Sequence, residues 1–303
     1  MSQSQAAATS AELDAEAPVS SRLRDYFQLT KPRLNLLVLT TTFVGYFMAS
    51  GTDFKFLSLV QAMLGTAMIA GGASALNMYV ERERDALMDR TASRPLPQGR
   101  VSAAEALALG VTMGAVGTAW LYVAANPLTA LLGALTLVVY VLMYTPMKVR
   151  STFNTAVGAI AGALPPVMGW TAVTGTLDVE AGILFAILFL WQHPHFFALA
   201  WMYKQDYAEG GYKMLPVIDE DGALSGRLMI MFSLALIPVS LSLTLTGTTG
   251  AIYAVGALGL GLYMLAASVR FIKNRTVPQA RKVFRASLVY LPALLALLMF
   301  DRM

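Results

Sequence analysis

No cysteine occurs in the 303 residues, so disulfides, thiolate nucleophiles and cysteine-ligated metals are excluded. Histidine is nearly as scarce, at two residues. Charge is thin: 13% of the chain is Asp, Glu, Lys or Arg, against about a quarter in soluble domains. Period-two alternation over ~10-residue segments is missing, which argues against a membrane β-barrel. No internal repeat stands out. Residues 1–20 have no apolar core and carry Glu12, Asp14 and Glu16 in an Ala/Ser-rich run. Such a segment does not read as a secretory signal, and its acids argue against a mitochondrial presequence. The expectation for 1–24 is a disordered cytoplasmic tail.

What the chain has in excess is apolar surface, with 56% hydrophobic residues and a mean hydropathy of +0.59. A spanning helix needs ~20 mostly apolar residues. Such runs fall near 34–50, 57–78, 102–124, 127–144, 154–174, 181–201, 227–248, 250–271 and 284–300, with the division at TGTTG 246–250 the least clean. Their glycines and small residues let helix backbones approach closely in lipid. The expectation is an all-α polytopic membrane protein of about nine transmembrane helices, forming one domain over 25–303. Of 22 Lys and Arg, 20 lie in the N-terminal tail or after the even-numbered runs, Lys55 and Arg302 being the exceptions. With nine helices these regions share one face, and the positive-inside rule makes that face cytoplasmic. The N-terminus is then inside and the C-terminus outside, in a bacterial setting at the inner membrane. The pI of about 9.3 needs no nucleic acid to explain it.

Topology requires basic residues, but not acids at helix ends. The stretch NMYVERERDALMDRTASRPLP at 77–97 nevertheless packs four acids among four arginines, directly after an uncharged run. Asn77, Glu81 and Asp85 are spaced i, i+4, i+8, so on a helix they line one stripe, each ~6 Å beyond the last. Three oxygen donors in a row suit a hard cation such as Mg²⁺, which keeps waters and phosphate oxygens as its other ligands. A solvated helix end, with Glu81 and Asp85 paired to Arg82, Arg84 or Arg90, fits the same spacing. Arg90 and Arg94 can hold a polyanion from one side. Lys148 and Arg150 in YTPMKVRST, and Lys204, Asp206, Glu209 and Lys213 in WMYKQDYAEGGYKMLP, lie on the same face. Together the three loops outline a mouth for Mg²⁺ and a phosphate-rich ligand. The apolar helices beneath it permit a greasy tail, as in an isoprenoid diphosphate.

The pattern N-x-x-x-[DE]-x-x-x-D followed by R-T-x-x-R-P-L, here Asn77, Glu81, Asp85, Arg90, Thr91, Arg94, Pro95 and Leu96, resembles the first signature of the UbiA-type intramembrane prenyltransferases. Farther on, YTPMK 144–148, NTAVGAIAGALPPVMGW 154–170 and WQHPHFFALAWMYKQDY 191–207 resemble the branch of that family that farnesylates haem. The similarity runs from about residue 25 to the end. It implies nine helices around a lipid-open cavity. It also implies transfer of a farnesyl group from farnesyl diphosphate to a vinyl group of haem B, giving haem O for a downstream haem A synthase. In that reading Asn77, Glu81, Asp85 and Asp206 hold Mg²⁺ and are catalytic, and Arg90, Arg94, Lys148, Arg150 and Lys204 bind diphosphate. The sequence departs from the family where a second acid-rich motif is common: Asp206 is kept, with Glu209 three residues on. Arg150 stands two residues after Lys148, where the basic pair is often adjacent.

His193 and His195 flank Pro194 in LFLWQHPHFFALAW. Ionisable groups inside a membrane tend to face a cavity or the bundle interior, and Pro194 frees backbone groups for local contacts. The rings can satisfy those contacts, or contact haem iron or propionate, since neutral imidazole is a common haem ligand. His195 is the expected haem contact, with His193 pointing ~200° away on a regular helix. A prenyltransferase with an aromatic or quinone-precursor acceptor is the nearer alternative, and WQHPHF speaks against it. A small-molecule transporter with charged cytoplasmic gates is the non-enzymatic one, but the stripe and arginine pair have no transport rationale.

Overall fold

Two of the long helices start at a capping side chain. Ser102 opens one with a capping box, its Oγ accepting from the Glu105 amide at 3.2 Å while the Glu105 carboxylate accepts from the Ser102 amide at 2.7 Å. Asn126 caps another, ahead of Pro127, whose missing N–H is harmless in a first turn. The computed structural model describes residues 19–303. The tail expected over 1–24 lies outside the described residues up to 18, and from Val19 the chain is helical.

In chain order the helices are α1 (Val19–Leu29), α2 (Pro32–Ala49), α3 (Phe56–Asp85), α4 (Ala103–Ala124), α5 (Pro127–Met147), α6 (Asn154–Thr174) and α7 (Val179–Met202). The short α8 (Lys204–Glu209) and α9 (Leu215–Ile218) follow, then α10 (Ala223–Leu245), α11 (Ala251–Asn274) and α12 (Val277–Phe300). Nine of these are long, matching the nine apolar runs. Eight are apolar and long enough to cross a membrane; α2 has 18 residues and carries Arg33 and Asn35 in its first turn. The chain is an all-α, multi-span membrane protein. The ambiguous TGTTG stretch is a turn, with Gly247 at φ 78°.

Two helices depart from the apolar runs that mark them. The second run ends near residue 78, yet α3 continues to Asp85 over 30 residues. At 1.5 Å per residue that is about 45 Å, against a hydrocarbon layer of about 30 Å, so its last turns stand clear of the apolar layer. In α5 the turns Val139–Tyr144 widen into a π-helix. Pro146 lacks an amide hydrogen and its ring crowds the carbonyl four residues back, and the wider turn relieves that crowding.

Helices α6 and α7 form the centre. α2 packs so closely on α6 that an added Cβ at Gly45 would run into the Pro166 carbonyl, and one at Gly169 into that of Thr42. α7 packs against α6, α10 and α12, and Trp191 Nε1 donates to the Ser287 carbonyl of α12 at 2.8 Å. Contacts between loops place the basic ends on one face: Lys213 N donates to Lys148 O at 2.7 Å, and Arg275 pairs with Asp221 at 2.9 Å. On the opposite face Arg302 donates to Phe47 O at 2.6 Å.

Candidate active site

The stripe foreseen on α3 exists and faces inward: Asn77, Glu81 and Asp85 are 1%, 5% and 1% exposed. Each carries one cation drawn from a different segment. Lys31 Nζ donates to Asn77 Oδ1 at 2.6 Å, Lys148 Nζ to Glu81 Oε1 at 2.7 Å, and an Arg94 NH to Asp85 Oδ2 at 2.6 Å. The solvated-helix-end alternative therefore fails in its details. Arg82 pairs with Glu83 and Arg84 donates to Gly210 O, so neither serves Glu81 or Asp85.

Local structure sets each partner. The π-turn of α5 positions the Thr145 hydroxyl to accept from Asn77 Nδ2 at 3.1 Å, which aims Asn77 Oδ1 at Lys31. Thr91 Oγ1 donates to the Asp85 carbonyl at 2.8 Å and folds the chain back so that Arg94 reaches Asp85. Lys31 caps α2 with a left-handed φ of 47°. That conformation is uncommon for a side-chain-bearing residue and doubly so before proline, a strain of the kind that gathers at functional sites.

These groups line a cavity of about 180 Å³ together with Leu34, Met88, Arg90, Tyr140, Tyr207 and Tyr212. Four basic side chains face two acidic ones, a surplus suited to a polyanion. Arg90 lies over the rings of Tyr203 and Tyr207, 5.5 and 5.7 Å from their centroids. Burial, then repulsion from Arg94, brings the Lys31 ammonium down to about 7. Burial also opposes the charge on Lys148, but the Glu81 carboxylate beside it holds the ammonium well above its ordinary value. Burial pushes the Tyr212 phenol up, and Glu81 adds to that.

For a divalent cation the decisive atom is Asp85 Oδ1, buried without a hydrogen-bond partner. A buried carboxylate oxygen left unpaired is costly unless something else satisfies it. Beside Glu81 and the Asn77 amide it forms an all-oxygen donor set of the kind hard cations take. Among the described residues no three His, Cys, Asp or Glu cluster closely enough to hold a metal, and the stripe itself has two carboxylates and one amide.

The remaining expected residues do not join this cavity. Asp206 is half-buried in the first turn of α8, next to the lining residue Tyr207. Arg150 is exposed. Lys204 donates to the carbonyls of Asp219 and Glu220 and lies over Trp201. His193 stacks on Phe232 of α10, and His195 lies between Trp191 and Phe284 of α12, so the rings do face different helices. His193 Nδ1 is 2.7 Å from the Phe189 carbonyl, and its Nε2 is buried without a partner among the described residues. His195 Nδ1 is 2.7 Å from Ser287 Oγ, whose own hydrogen goes to Phe284 O. In each ring the Nδ1 hydrogen is thereby engaged, which assigns the lone pair to Nε2. Sequence reasoning missed Lys31, Tyr140 and Tyr212; Lys31 stands 46 residues before Asn77, in a loop where no periodicity marks it.

Among the described residues, nine long helices form a membrane bundle that carries at one end a cavity of four basic side chains and oxygen donors, an arrangement suited to an anionic group. The chain belongs to the UbiA prenyltransferase family, whose model matches residues 38–293. It is 48% identical over 289 residues to the protoheme IX farnesyltransferase of Solibacter usitatus, covering 92% of this chain and 99% of that one. Its fold matches a digeranylgeranylglyceryl phosphate synthase structure with a TM-score of 0.80 at 15% identity, over 93% of this chain and 98% of that one. It also matches a UbiA homolog from Archaeoglobus fulgidus bound to DMAPP and Mg²⁺, with a TM-score of 0.64 at 16% identity, over 90% and 99%.

Proposed function

We propose that this chain transfers a farnesyl group from farnesyl diphosphate to a vinyl group of haem B, giving haem O. The observation that carries the reading is 48% identity to a protoheme IX farnesyltransferase across nearly the whole of both chains. The cavity supports it by matching a diphosphate head with cations and oxygen donors.

Asn77, Glu81 and Asp85 are the residues that would hold Mg²⁺, and what that ion supplies when bound is positive charge beside the diphosphate. Lys31, Arg94 and Lys148 bind and orient the diphosphate. Arg90 guards the mouth on its two tyrosine rings. As the allylic C–O bond breaks, the electron pair leaves with the diphosphate, whose growing charge these fixed cations stabilise without reorganising. Leu34, Met88, Tyr140 and Tyr212 wall the cavity and limit premature capture of the allylic cation by water. The vinyl group attacks that cation, and the cation this leaves on the haem side chain is captured by water, which loses a proton to give the hydroxyethylfarnesyl substituent. Asp206, beside Tyr207, is the candidate for a further metal ligand. Arg150 and Lys204 stand outside the cavity and take no part in this reading. His195 and His193 are the candidate haem contacts, through Nε2.

The face bearing the site is assigned to the cytoplasm by its basic residues, with the N-terminus inside, the C-terminus outside, and haem O passed to a haem A synthase. The helices from α1 onward act as one domain behind a cytoplasmic tail, the boundary falling before Val19 and not at residue 25. Mass spectrometry of haem extracted from cells with and without the gene tests the activity. A hydroxyethylfarnesyl haem dependent on the gene is expected, whereas a prenylated aromatic or quinone precursor would reassign the acceptor. Because the chain lacks cysteine, Gln98→Cys and Met303→Cys report orientation through a membrane-impermeant thiol reagent, which should label only Met303→Cys in intact cells.

A further inference from the structure

The basic residues of the second half of the bundle are arranged unlike those around the cavity. At the end of α3 and in the loop after it, three of five arginines have carboxylate partners, Arg82 with Glu83, Arg94 with Asp85 and Arg100 with Asp25, while Arg84 donates to Gly210 O and Arg90 lies over two tyrosine rings. At the same face, the ends of α10, α11 and α12 carry Arg227, Arg270, Lys273, Arg281, Lys282 and Arg285, all exposed. No ion pair among the described residues engages any of them. Of the nearby acids, Asp221 is committed to Arg275 and Asp219 to the amides of Leu224 and Ser225, and the exposed Glu220 pairs with none of the six.

Their placement along the helices is equally specific. Arg227 is followed at i+4 and i+7 by the exposed Met231 and Leu234. Arg285 is followed at i+3 and i+4 by the exposed Leu288 and Val289, and Arg270 lies seven and eight residues after the exposed Tyr263 and Leu262. In a membrane bundle such exposed apolar side chains face lipid. Each arginine therefore tops a lipid-facing stripe on one of three consecutive helices, about one turn beyond it for Arg227 and Arg285 and about two turns for Arg270, a spacing that suits the boundary between apolar layer and headgroups. Arg281 and Arg285 also stack as like charges at i, i+4 in the second and third turns of α12, whose first turn has no acid and whose Thr276 gives no side-chain cap. That arrangement is unfavourable until an anion neutralises it. Orientation by positive charge calls for basic residues on this face, but not for their leaving acids aside or crowning lipid-facing stripes.

The geometry points to a binding surface on the charged ends of α10, α11 and α12 for the phosphate headgroups of anionic phospholipids in the adjoining leaflet. Arg227, Arg270 and Arg285 meet the lipid phosphates directly, and Lys273, Arg281 and Lys282 add charge above them. The inference rests on this face being a membrane–water boundary; it holds whichever side that face occupies, so the thiol-labelling result does not decide it.

The test is native mass spectrometry of the full chain released from nanodiscs of phosphatidylcholine mixed with phosphatidylglycerol. The Arg270→Gln/Arg281→Gln/Arg285→Gln protein is compared with Arg22→Gln/Arg24→Gln/Arg100→Gln, which loses the same charge elsewhere. The wild-type chain and the control should retain phosphatidylglycerol over phosphatidylcholine, and the first variant should lose at least about tenfold of that preference. Thermal unfolding in nanodiscs with and without phosphatidylglycerol checks that both variants are folded and should show the lipid-dependent rise only in wild type and control. Equal loss in both variants reduces the effect to net charge and overturns the proposal. So does an unchanged lipid preference in the first variant, with or without capture of an acidic protein. Inorganic phosphate matching the stabilisation by phosphatidylglycerol in detergent would instead mark a soluble-anion site and likewise overturn it.

Discussion

Replacing Asp85 by Asn separates the two roles that the cavity gives this residue. The side chain is 1% exposed, holds Arg94 at 2.6 Å through Oδ2, and leaves Oδ1 buried and unpaired. Asparagine keeps the shape and one acceptor for Arg94 but removes the charge. Arg94 is 19% exposed along its side chain, so it can still reach water, and the cost to folding should be no more than about 1–3 kcal/mol. The cost to the reaction is larger. A metal ligand contributes several kcal/mol of transition-state stabilisation, and each 1.36 kcal/mol is tenfold in rate, so turnover should fall by roughly 10²–10³. Half-activation by Mg²⁺ should rise as well. The assay is formation of prenylated haem from farnesyl diphosphate and haem B by the nanodisc-embedded enzyme, followed by mass spectrometry across a Mg²⁺ titration, with thermal unfolding in parallel. A variant that turns over normally, with unchanged Mg²⁺ half-activation, would show that Asp85 serves only as the counter-charge of Arg94.

Arg94→Lys keeps the positive charge but loses the forked donor geometry, so the KM for farnesyl diphosphate should rise about tenfold while insertion is unchanged; Lys31→Met should also raise KM, and unchanged values in both would remove these cations from the diphosphate site. Asp206→Asn should reduce turnover more than Glu209→Gln, because Asp206 adjoins the lining residue Tyr207 whereas Glu209 accepts from Gln205 at the exposed surface; the reverse ranking would shift the acidic role to Glu209. Haem B titrated into His195→Ala and His193→Ala should show a changed absorption spectrum or weaker binding in at least one, and wild-type behaviour in both would leave the rings as packing groups of α7.

Much of this protein was legible along the chain because lipid imposes a local rule. Every backbone group of a spanning segment must be satisfied within its own helix, so nine apolar runs announced the nine long helices of the described residues without reference to their neighbours. The i, i+4, i+8 stripe of Asn77, Glu81 and Asp85 was legible for the same reason, since one helix sets its geometry. Tertiary structure alone decided which cation meets which donor. Lys31 reaches Asn77 across 46 residues and Lys148 reaches Glu81 across 67, and no spacing rule spans separate helices. It also excluded Arg150 and Lys204 from the cavity, although in sequence they resemble Lys148, and set His193 against α10 and His195 against α12. Those outcomes depend on where whole helices pack, through close approaches such as Gly45 on the Pro166 carbonyl, and packing is a property of pairs of segments that neither segment carries alone.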